Sequence, residues 1–269
     1  MGKVLSAACT CHMGYLRKNN EDNLYFHGKI LPEQNKGLKN VYSLEAALED
    51  IPCFGVFDGM GGESRGEEAS YLAALTMQQK VKASKELICA PSGFLEDLVQ
   101  EMNDAVCERM AGAKVGRMGS TAVMLYFDEE LVYQCNVGDS RAFRFRENEF
   151  VQISENHTDE EFLKKNGINR KPSLTQHLGI HPEEMALEPH IVKFAVQEGD
   201  VFLLCSDGLT DMLTNLELCE IIKETPDSRE CVQKLLEAVL ARGGRDNVTI
   251  MVIRVTAGAS DGQGQMEHA

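Results

Sequence analysis

Short apolar runs separated by polar turns dominate the middle of the chain. Residues 121–127, 131–137, 141–146 and 150–153 are apolar or alternate apolar with charged residues. Acidic or Asn-containing triplets such as Asp128-Glu129-Glu130 separate them. This spacing predicts four short antiparallel strands joined by tight turns. Further apolar runs predict strands at residues 24–26, 52–57, 201–205 and 248–255.

Segments with helical composition or periodicity flank these strands. Residues 67–82 and 94–110 predict two helices before the meander. After it, Thr214 and Glu217 form a capping-box pattern that predicts a helix start. A last helix is predicted to begin at Thr225-Pro226 and to end at Gly243-Gly244. Strands bracketed by long helices predict an α+β fold in which helices cover a β core.

The chain of 269 residues is long enough for one large domain or two small ones. No interior stretch is rich enough in Pro, Gly or Ser to act as a linker, so a single domain over residues 1–255 is predicted. Residues 156–197, rich in Pro, His and Gly, fit the core least well and are interpreted as a surface flap with a short helix ending at Gly167. The polar, Gly-rich residues 256–269 predict a disordered tail.

Composition narrows the possible partners. Forty-two acidic against 27 basic residues give a net charge of −15, which argues against binding to nucleic acid or to anionic lipid. No apolar run approaches the ~18 residues that span a bilayer. The nine cysteines are odd in number and scattered, as in a reduced cytoplasmic protein. Cys9, Cys11 and His12 lie close together but lack a second ligand pair for zinc. A monomer is expected, since nothing indicates an obligate oligomer.

Four aspartates follow or precede apolar runs and lie beside small or polar residues: Asp58, Asp139, Asp207 and Asp246. Any one Asp-Gly pair could be an ordinary turn. If the strand ends converge, however, the carboxylates need a cation, and hard oxygen ligands select Mg²⁺ or Mn²⁺. Near the N-terminus, Arg17 precedes Glu21 and Asp22. Its guanidinium is suited to clamp a phosphoryl group, although a polar turn with a surface arginine is the simpler interpretation.

Seven sequence blocks, taken together, are similar to the signature motifs of a known enzyme family. They are Arg17-x-x-Asn20-Glu21-Asp22, Phe57-Asp58-Gly59-Met60-Gly61-Gly62, Gly119-Ser120-Thr121-Ala122, Asn136-Val137-Gly138-Asp139-Ser140-Arg141, Leu174-Thr175-Gln176-His177-Leu178-Gly179, Ser206-Asp207-Gly208-Leu209 and Gly244-Arg245-Asp246-Asn247-Val248-Thr249. In this order they resemble the metal-dependent protein phosphatases (PPM or type 2C), bacterial type. The resemblance spans about residues 4–255 and implies a four-layer αββα sandwich, two antiparallel sheets packed face to face between helices.

The resemblance also implies a role for each matched residue. Asp58 matches the aspartate that bridges two metal ions, Gly59 the residue whose carbonyl binds the second, and Asp207 and Asp246 the other carboxylate ligands of the first. Glu21 and Asp22 match the acidic pair that holds metal-bound water, Arg17 the phosphate-binding arginine, and Asp139, with Asp207, a third-metal site. Two Mn²⁺ or Mg²⁺ ions, with room for a third, are therefore expected.

One position departs from the pattern of many eukaryotic members. Met60 follows the Asp-Gly pair where those members carry a histidine thought to protonate the leaving group, and bacterial members often share the methionine. A thioether cannot transfer a proton, so another group must act as the general acid. His157, His177 and His181 are candidates, each with an ordinary polar role as the alternative.

The resemblance implies a cytoplasmic phosphatase that hydrolyses phosphoserine and phosphothreonine by direct attack of a metal-bridging hydroxide. Phosphoproteins are the expected substrates, and a serine/threonine kinase and its targets the expected partners. Two alternatives remain. One is a catalytically inactive regulatory binding module with the same fold. The other is a hydrolase for small phosphoesters or phosphotyrosine. The physiological substrate and the choice between Mn²⁺ and Mg²⁺ are left open by the sequence.

Overall fold

A computed structural model describes residues 2–50, 52–61, 65–84, 90–113 and 116–258. Its strands are β1 (Lys3–His12), β2 (Asp22–Phe26), β3 (Lys29–Ile30), β4 (Tyr42–Ala47), β5 (Cys53–Gly61), β6 (Met118–Ser120), β7 (Ala122–Phe127), β8 (Leu131–Val137), β9 (Arg141–Arg146), β10 (Glu149–Gln152), β11 (His190–Ala195), β12 (Val201–Cys205) and β13 (Val248–Ala257). Its α-helices are α1 (Gly66–Ser84), α2 (Pro91–Ala113), α3 (Glu160–Lys165), α4 (Asp207–Thr210), α5 (Asn215–Glu224) and α6 (Ser228–Ala241).

The strands form two antiparallel sheets. The first has the order β10-β9-β12-β13-β1-β4, and the second has the order β11-β8-β7-β5-β2-β3, with β6 paired to β5. Large apolar side chains from both sheets fill the space between them, among them Phe26, Phe54, Phe127, Phe202 and Met251. The two sheets therefore pack face to face, as predicted.

Helices cover the outer face of each sheet. Residues of α1 and α2, such as Met77 and Leu98, pack against Phe57 and Met124 of the second sheet. On the opposite side, α5 and α6 pack against the first sheet in a third apolar cluster that includes Leu218, Ile222, Val232, Leu235, Leu203 and Ile250. The arrangement is a four-layer αββα sandwich, which confirms the predicted fold class.

Two strands of the first sheet were not predicted from the sequence. β1 pairs with β13 along its whole length, from Lys3 opposite Ala257 to His12 opposite Val248, and with β4 on its other side. Most of β1 is buried, because it lies inside the sheet and is covered on both faces. A strand of this kind carries small and apolar residues without alternation, so the period-2 signal is absent.

The predicted ends of several elements also differ from the structure. β13 continues through Thr256 and Ala257, which were assigned to the tail, while residues 259–269 lie outside the described residues. α6 begins at Ser228, with Asp227 as its N-cap through a 2.7 Å hydrogen bond from Glu230 N, rather than at Thr225-Pro226. The capping box of Thr214 and Glu217 is present as predicted.

Only part of the region interpreted as a flap, residues 156–197, lies outside the sheets. Its last part, His190–Ala195, forms β11 and pairs with β8 at the edge of the second sheet. The short helix α3 ends at Lys165, and its N-cap residue is Asp159. Within the described residues no helix is long and apolar enough to cross a membrane.

Candidate active site

Two aspartates on neighbouring strands form the centre of the site. Asp22 at the start of β2 lies directly opposite Asp58 near the end of β5 in the antiparallel register. Asp22 is 1 % exposed. The Asp58 backbone is held by Thr121, whose N–H donates to the Asp58 carbonyl at 2.8 Å and whose hydroxyl accepts from the Asp58 N–H at 3.1 Å. Strand pairing alone therefore brings together the buried carboxylate of Asp22 and the half-buried carboxylate of Asp58.

Asp22 joins the two sheets. Its Oδ2 accepts hydrogen bonds from Ser206 Oγ at 2.8 Å and from Thr249 Oγ1 at 2.7 Å. Ser206 directly follows β12, and Thr249 lies in β13, so both hydroxyls come from the opposite sheet. Oδ1 of Asp22 is buried with no hydrogen-bond partner among the described residues. Burial raises the pKa of Asp22 to about 7, against the effect of the two hydroxyls, and the charges of Asp207 and Asp246 add to the rise.

The remaining acidic candidates surround Asp58. Burial raises the pKa of Asp58 well above its usual range, and the charges of Asp22, Asp207, Asp139 and Asp246 raise it further. A cleft of about 260 Å³ opens above this carboxylate. Its lining includes seven of the eight predicted site residues, namely Arg17, Glu21, Asp58, Gly59, Asp139, Asp207 and Asp246. The eighth, Asp22, is not among the residues that line the cleft.

Asp207 reaches the cleft as the first residue of α4, immediately after β12 and Ser206. Burial raises its pKa to about 6, and the charges of Asp139 and Asp211 contribute. Lys171 of the flap opposes this rise, because its Nζ lies 3.4 Å from Asp207 Oδ2 and 3.5 Å from Asp211 Oδ2. Lys171 was not predicted as a site residue, and nothing in its local sequence distinguishes it from a surface lysine.

The N-terminal segment closes the other side of the cleft. Arg17 Nη2 lies 2.5 Å from Asp246 Oδ2, so the predicted phosphate ligand is paired with a predicted metal ligand. The Glu21 backbone N–H donates to Asn247 Oδ1 at 2.8 Å, and Asn247 Nδ2 donates to the carbonyls of Met13 and Asn19. Burial raises the pKa of Glu21. Asn247 thus fixes the loop that carries Arg17 and Glu21 beside β13.

The donor set fits a hard divalent cation. It consists of carboxylates and the Gly59 carbonyl, all oxygen ligands of the kind that Mg²⁺ and Mn²⁺ prefer. Among the described residues, no three His, Cys, Asp or Glu side chains already converge to metal-binding distance. Asp246 and Asp207 instead face Arg17 and Lys171. The unpaired, buried Oδ1 of Asp22 and the raised pKa values indicate an excess of negative charge that a cation would relieve.

Gly59 cannot carry a side chain without moving the backbone. A Cβ at this position would overlap the Gly66 carbonyl and lie 2.5 Å from the Glu21 carbonyl oxygen. The Gly59 N–H donates to that same oxygen at 3.1 Å. The close approach of three backbone segments is therefore the reason for glycine here.

We expect Gly59→Ala to destabilise the protein by roughly 1–3 kcal/mol, the usual cost of forcing a methyl group into a packed site. Because β5 would shift next to Asp58, divalent-ion affinity should fall as well. Thermal unfolding and Mn²⁺ titration by calorimetry would measure the two effects. Gly93→Ala, which meets open space and, like Gly59, has no positive φ, is the matched control for adding a methyl group. Equal Mn²⁺ affinity in Gly59→Ala and the unsubstituted protein would show that the metal site does not depend on a glycine at position 59.

The three candidate histidines lie outside the acidic cleft as the described residues define it. His157 Nδ1 accepts from the Gly138 N–H at 3.2 Å, and burial lowers its pKa. His177 packs over Gly119 beside Met60, and burial lowers its pKa too. His181 Nδ1 accepts from the Glu183 N–H at 3.3 Å. None of the three lines the acidic cleft, so the structure supports none of them as the general acid.

Comparison with known proteins agrees with this picture. The family model described as protein phosphatase 2C matches residues 44–247. A serine/threonine phosphatase of Listeria innocua is 29 % identical over 252 residues, covering 89 % of this chain and 92 % of that protein. The phosphatase PstP of Mycobacterium tuberculosis is 27 % identical over 264 residues, covering 94 % of this chain and 45 % of that protein.

Solved structures show the same relationship. The catalytic domain of PstP, crystallised with two manganese ions, matches with a TM-score of 0.76 at 26 % identity, covering 95 % of this chain and all of that one. PppA of Pseudomonas aeruginosa matches with a TM-score of 0.74 at 29 % identity, covering 94 % of this chain and 99 % of that one. Since the family model covers more than half of the chain, the protein is a member of the protein phosphatase 2C family, of the bacterial type.

Proposed function

We propose that this chain is a metal-dependent phosphatase of phosphoserine and phosphothreonine in proteins. The observation that supports it most is one cleft in which Glu21, Asp58, Asp139, Asp207 and Asp246 meet a guanidinium. The family is metal-dependent, and a relative binds two manganese ions. Relatives that align over most of this chain are named serine/threonine phosphatases.

Asp58, Asp207 and Asp246 would hold one divalent ion, and Asp58 and the Gly59 carbonyl a second. Glu21 and Asp22 would fix the surrounding water, and Asp139 with Asp207 is the candidate for a third ion. When bound, such ions supply a nucleophile at neutral pH by lowering the pKa of water, and they stabilise charge on the phosphoryl oxygens. No covalent phosphoenzyme is expected. Cys205, two residues before Asp207, is buried in β12, and burial raises its pKa to about 12.

Arg17 is the residue of this chain suited to orient the phosphate. Its partner in the present state is Asp246, a proposed metal ligand. Occupation of the metal site would engage Asp246 and leave the guanidinium to make paired hydrogen bonds with two phosphoryl oxygens. The same exchange applies to Lys171, whose ammonium faces Asp207. Metal and phosphate would thus enter by replacing two internal ion pairs.

The direct test is phosphate release from a phosphothreonine peptide with Mn²⁺, Mg²⁺ or EDTA. The proposal requires release with a divalent ion and none with EDTA. A phosphotyrosine peptide and a small aryl phosphate, assayed in parallel, decide between a protein serine/threonine phosphatase and a broader phosphoesterase. If folded, metal-loaded protein releases phosphate from none of them, the inactive binding module is the correct alternative.

We expect Arg17→Ala to raise KM for a phosphothreonine peptide by about 10–100-fold, the loss of one or two charge-assisted hydrogen bonds to phosphate. Arg17→Lys should recover only part of the loss, since an ammonium cannot make the paired contact. Steady-state kinetics at saturating Mn²⁺ would measure both. Arg229→Ala, an exposed arginine on α6, is the matched control and should behave as the unsubstituted protein. A normal KM in Arg17→Ala would exclude the phosphate role.

A further inference from the structure

A second cleft lies next to the acidic one. It has a volume of about 690 Å³ and shares Met60 and Gly61 with the acidic cleft. Its wall is formed by the end of α2, by β6 and by flap residues 177 and 179–181. The lining includes Met60, Met110, Ala111, Met118, His177 and Ile180. A bound phosphopeptide that leaves the acidic cleft on the side of Met60 would meet this pocket next.

The charged groups at the rim of this pocket are already paired. Arg117 Nη2 lies 3.1 Å from Glu184 Oε1, and both side chains are exposed. Since the pair is neutral as a whole, it gives no strong recognition of an acidic or basic residue. The rest of the lining consists of three methionines, an isoleucine, small residues and two histidines, and most of its surface is apolar. Methionine side chains adapt to different apolar shapes, which suits a pocket that accepts more than one apolar residue.

The flap side of the pocket is fixed in place before any ligand binds. Asn103 of α2 is 1 % exposed, and its Oδ1 accepts from the N–H groups of Gly179 at 2.8 Å and Ile180 at 3.1 Å. Its Nδ2 donates to the Ile180 carbonyl at 2.9 Å. Leu178 pairs with Ser120 of β6 through two backbone hydrogen bonds. A preorganised wall loses little entropy on binding, so the pocket can contribute affinity.

From these observations we infer that the second cleft is a subsite for an apolar side chain of the phosphoprotein substrate, near the phosphorylated residue in its sequence. The inference rests on the proposed function. The occupant is a Leu, Met or Phe side chain, because the lining is mostly apolar and the volume accommodates a large residue. Specificity would then come from this subsite, while the acidic cleft recognises only the phosphoryl group.

The test is a set of phosphothreonine peptides in an alanine background. Leucine replaces alanine at each position within about four residues of the phosphothreonine, a span of roughly 13 Å in extended chain. Each kcat/KM is divided by that of the same enzyme for a small aryl phosphate, which has no flanking side chain. One position should show a preference for Leu of about tenfold or more, the value of burying a few methylene groups.

Ala111→Phe fills the pocket from an exposed position on α2 and should reduce the preference to less than about threefold. Ala83→Phe, also exposed but on α1, is the matched control and should keep it. Met110→Ala enlarges the pocket and should shift the preference from Leu toward Phe. Turnover without a Leu preference at any position, or a preference that survives Ala111→Phe, would overturn the subsite alone. Absence of turnover on every phosphoester would overturn the proposed function and the subsite together.

Discussion

Asp58→Asn is expected to reduce phosphate release by roughly a thousandfold or more, as expected when a group that organises transition-state charge is lost. Asp58 is proposed to contact both metal ions, so its neutral amide should weaken both sites at once. The same substitution should raise the melting temperature of the metal-free protein. Burial and the charges of Asp22, Asp207, Asp139 and Asp246 raise the pKa of Asp58, so the ionised carboxylate destabilises the folded protein when no metal is bound.

Activity and stability should therefore change in opposite directions. A variant that simply misfolds would lose both, so thermal unfolding in EDTA separates the two explanations. Mn²⁺ should raise the melting temperature of the unsubstituted protein and have little effect on Asp58→Asn, since binding to the native state alone stabilises it. Asp50→Asn, an exposed aspartate far from the cleft in the fold, controls for the loss of one charge. Full activity in Asp58→Asn would remove Asp58 from the proposed metal centre.

The metal-free protein should lose stability as the pH rises from about 4 to about 7. In the folded state the pKa is about 7 for Asp22 and about 6 for Asp207, whereas both lie near 3.8 in the unfolded chain. Between these values the folded state binds more protons than the unfolded state, so each step up in pH favours unfolding. The contribution is complete below pH 4 and is lost once both groups ionise. Divalent ions should reverse the loss at pH 8.

The difference between the unsubstituted protein and Asp22→Asn isolates this effect. The half-buried His157 and His177 have lowered pKa values and act in the opposite direction, but they are common to both proteins. Between pH 5.5 and pH 8 in EDTA, the unsubstituted protein should lose on the order of 2 kcal/mol relative to Asp22→Asn. That corresponds to about 4–8 °C in melting temperature. If the difference in melting temperature between the two proteins did not change with pH, the pKa of Asp22 would not be raised in the folded state.

The predictable part of the site consists of residues whose sequence neighbours are distinctive. Asp58, Asp139, Asp207 and Asp246 each occur at a strand end beside a small or polar residue, and all four line one cleft. The four strands β7 to β10 could be predicted because they are short and are separated by polar turns. β1 and β11 were missed for opposite reasons, the first because it is buried on both faces, the second because it is a partly exposed edge strand.

Other features depend on contacts between distant parts of the chain. Lys171 faces Asp207 only because the flap folds back over the cleft. Asn247 holds the loop of Arg17 although the two lie at opposite ends of the sequence. Asn103 supports the second cleft from the middle of a helix, where an asparagine carries no distinguishing pattern. Such roles follow from the tertiary structure and cannot be predicted from the periodicity or the motif spacing of the sequence.

The pairing of β1 with β13 has a consequence for how the protein can be made. These two strands lie side by side inside the first sheet, yet they contain residues 3–12 and 248–257. During synthesis one edge of β1 can pair early with β4, but its other edge has no partner until β13 has been translated. Long-range pairing of this kind slows folding and leaves one unpaired strand edge exposed to other chains. A nascent chain of this phosphatase should therefore be most vulnerable to aggregation and proteolysis before β13 emerges from the ribosome.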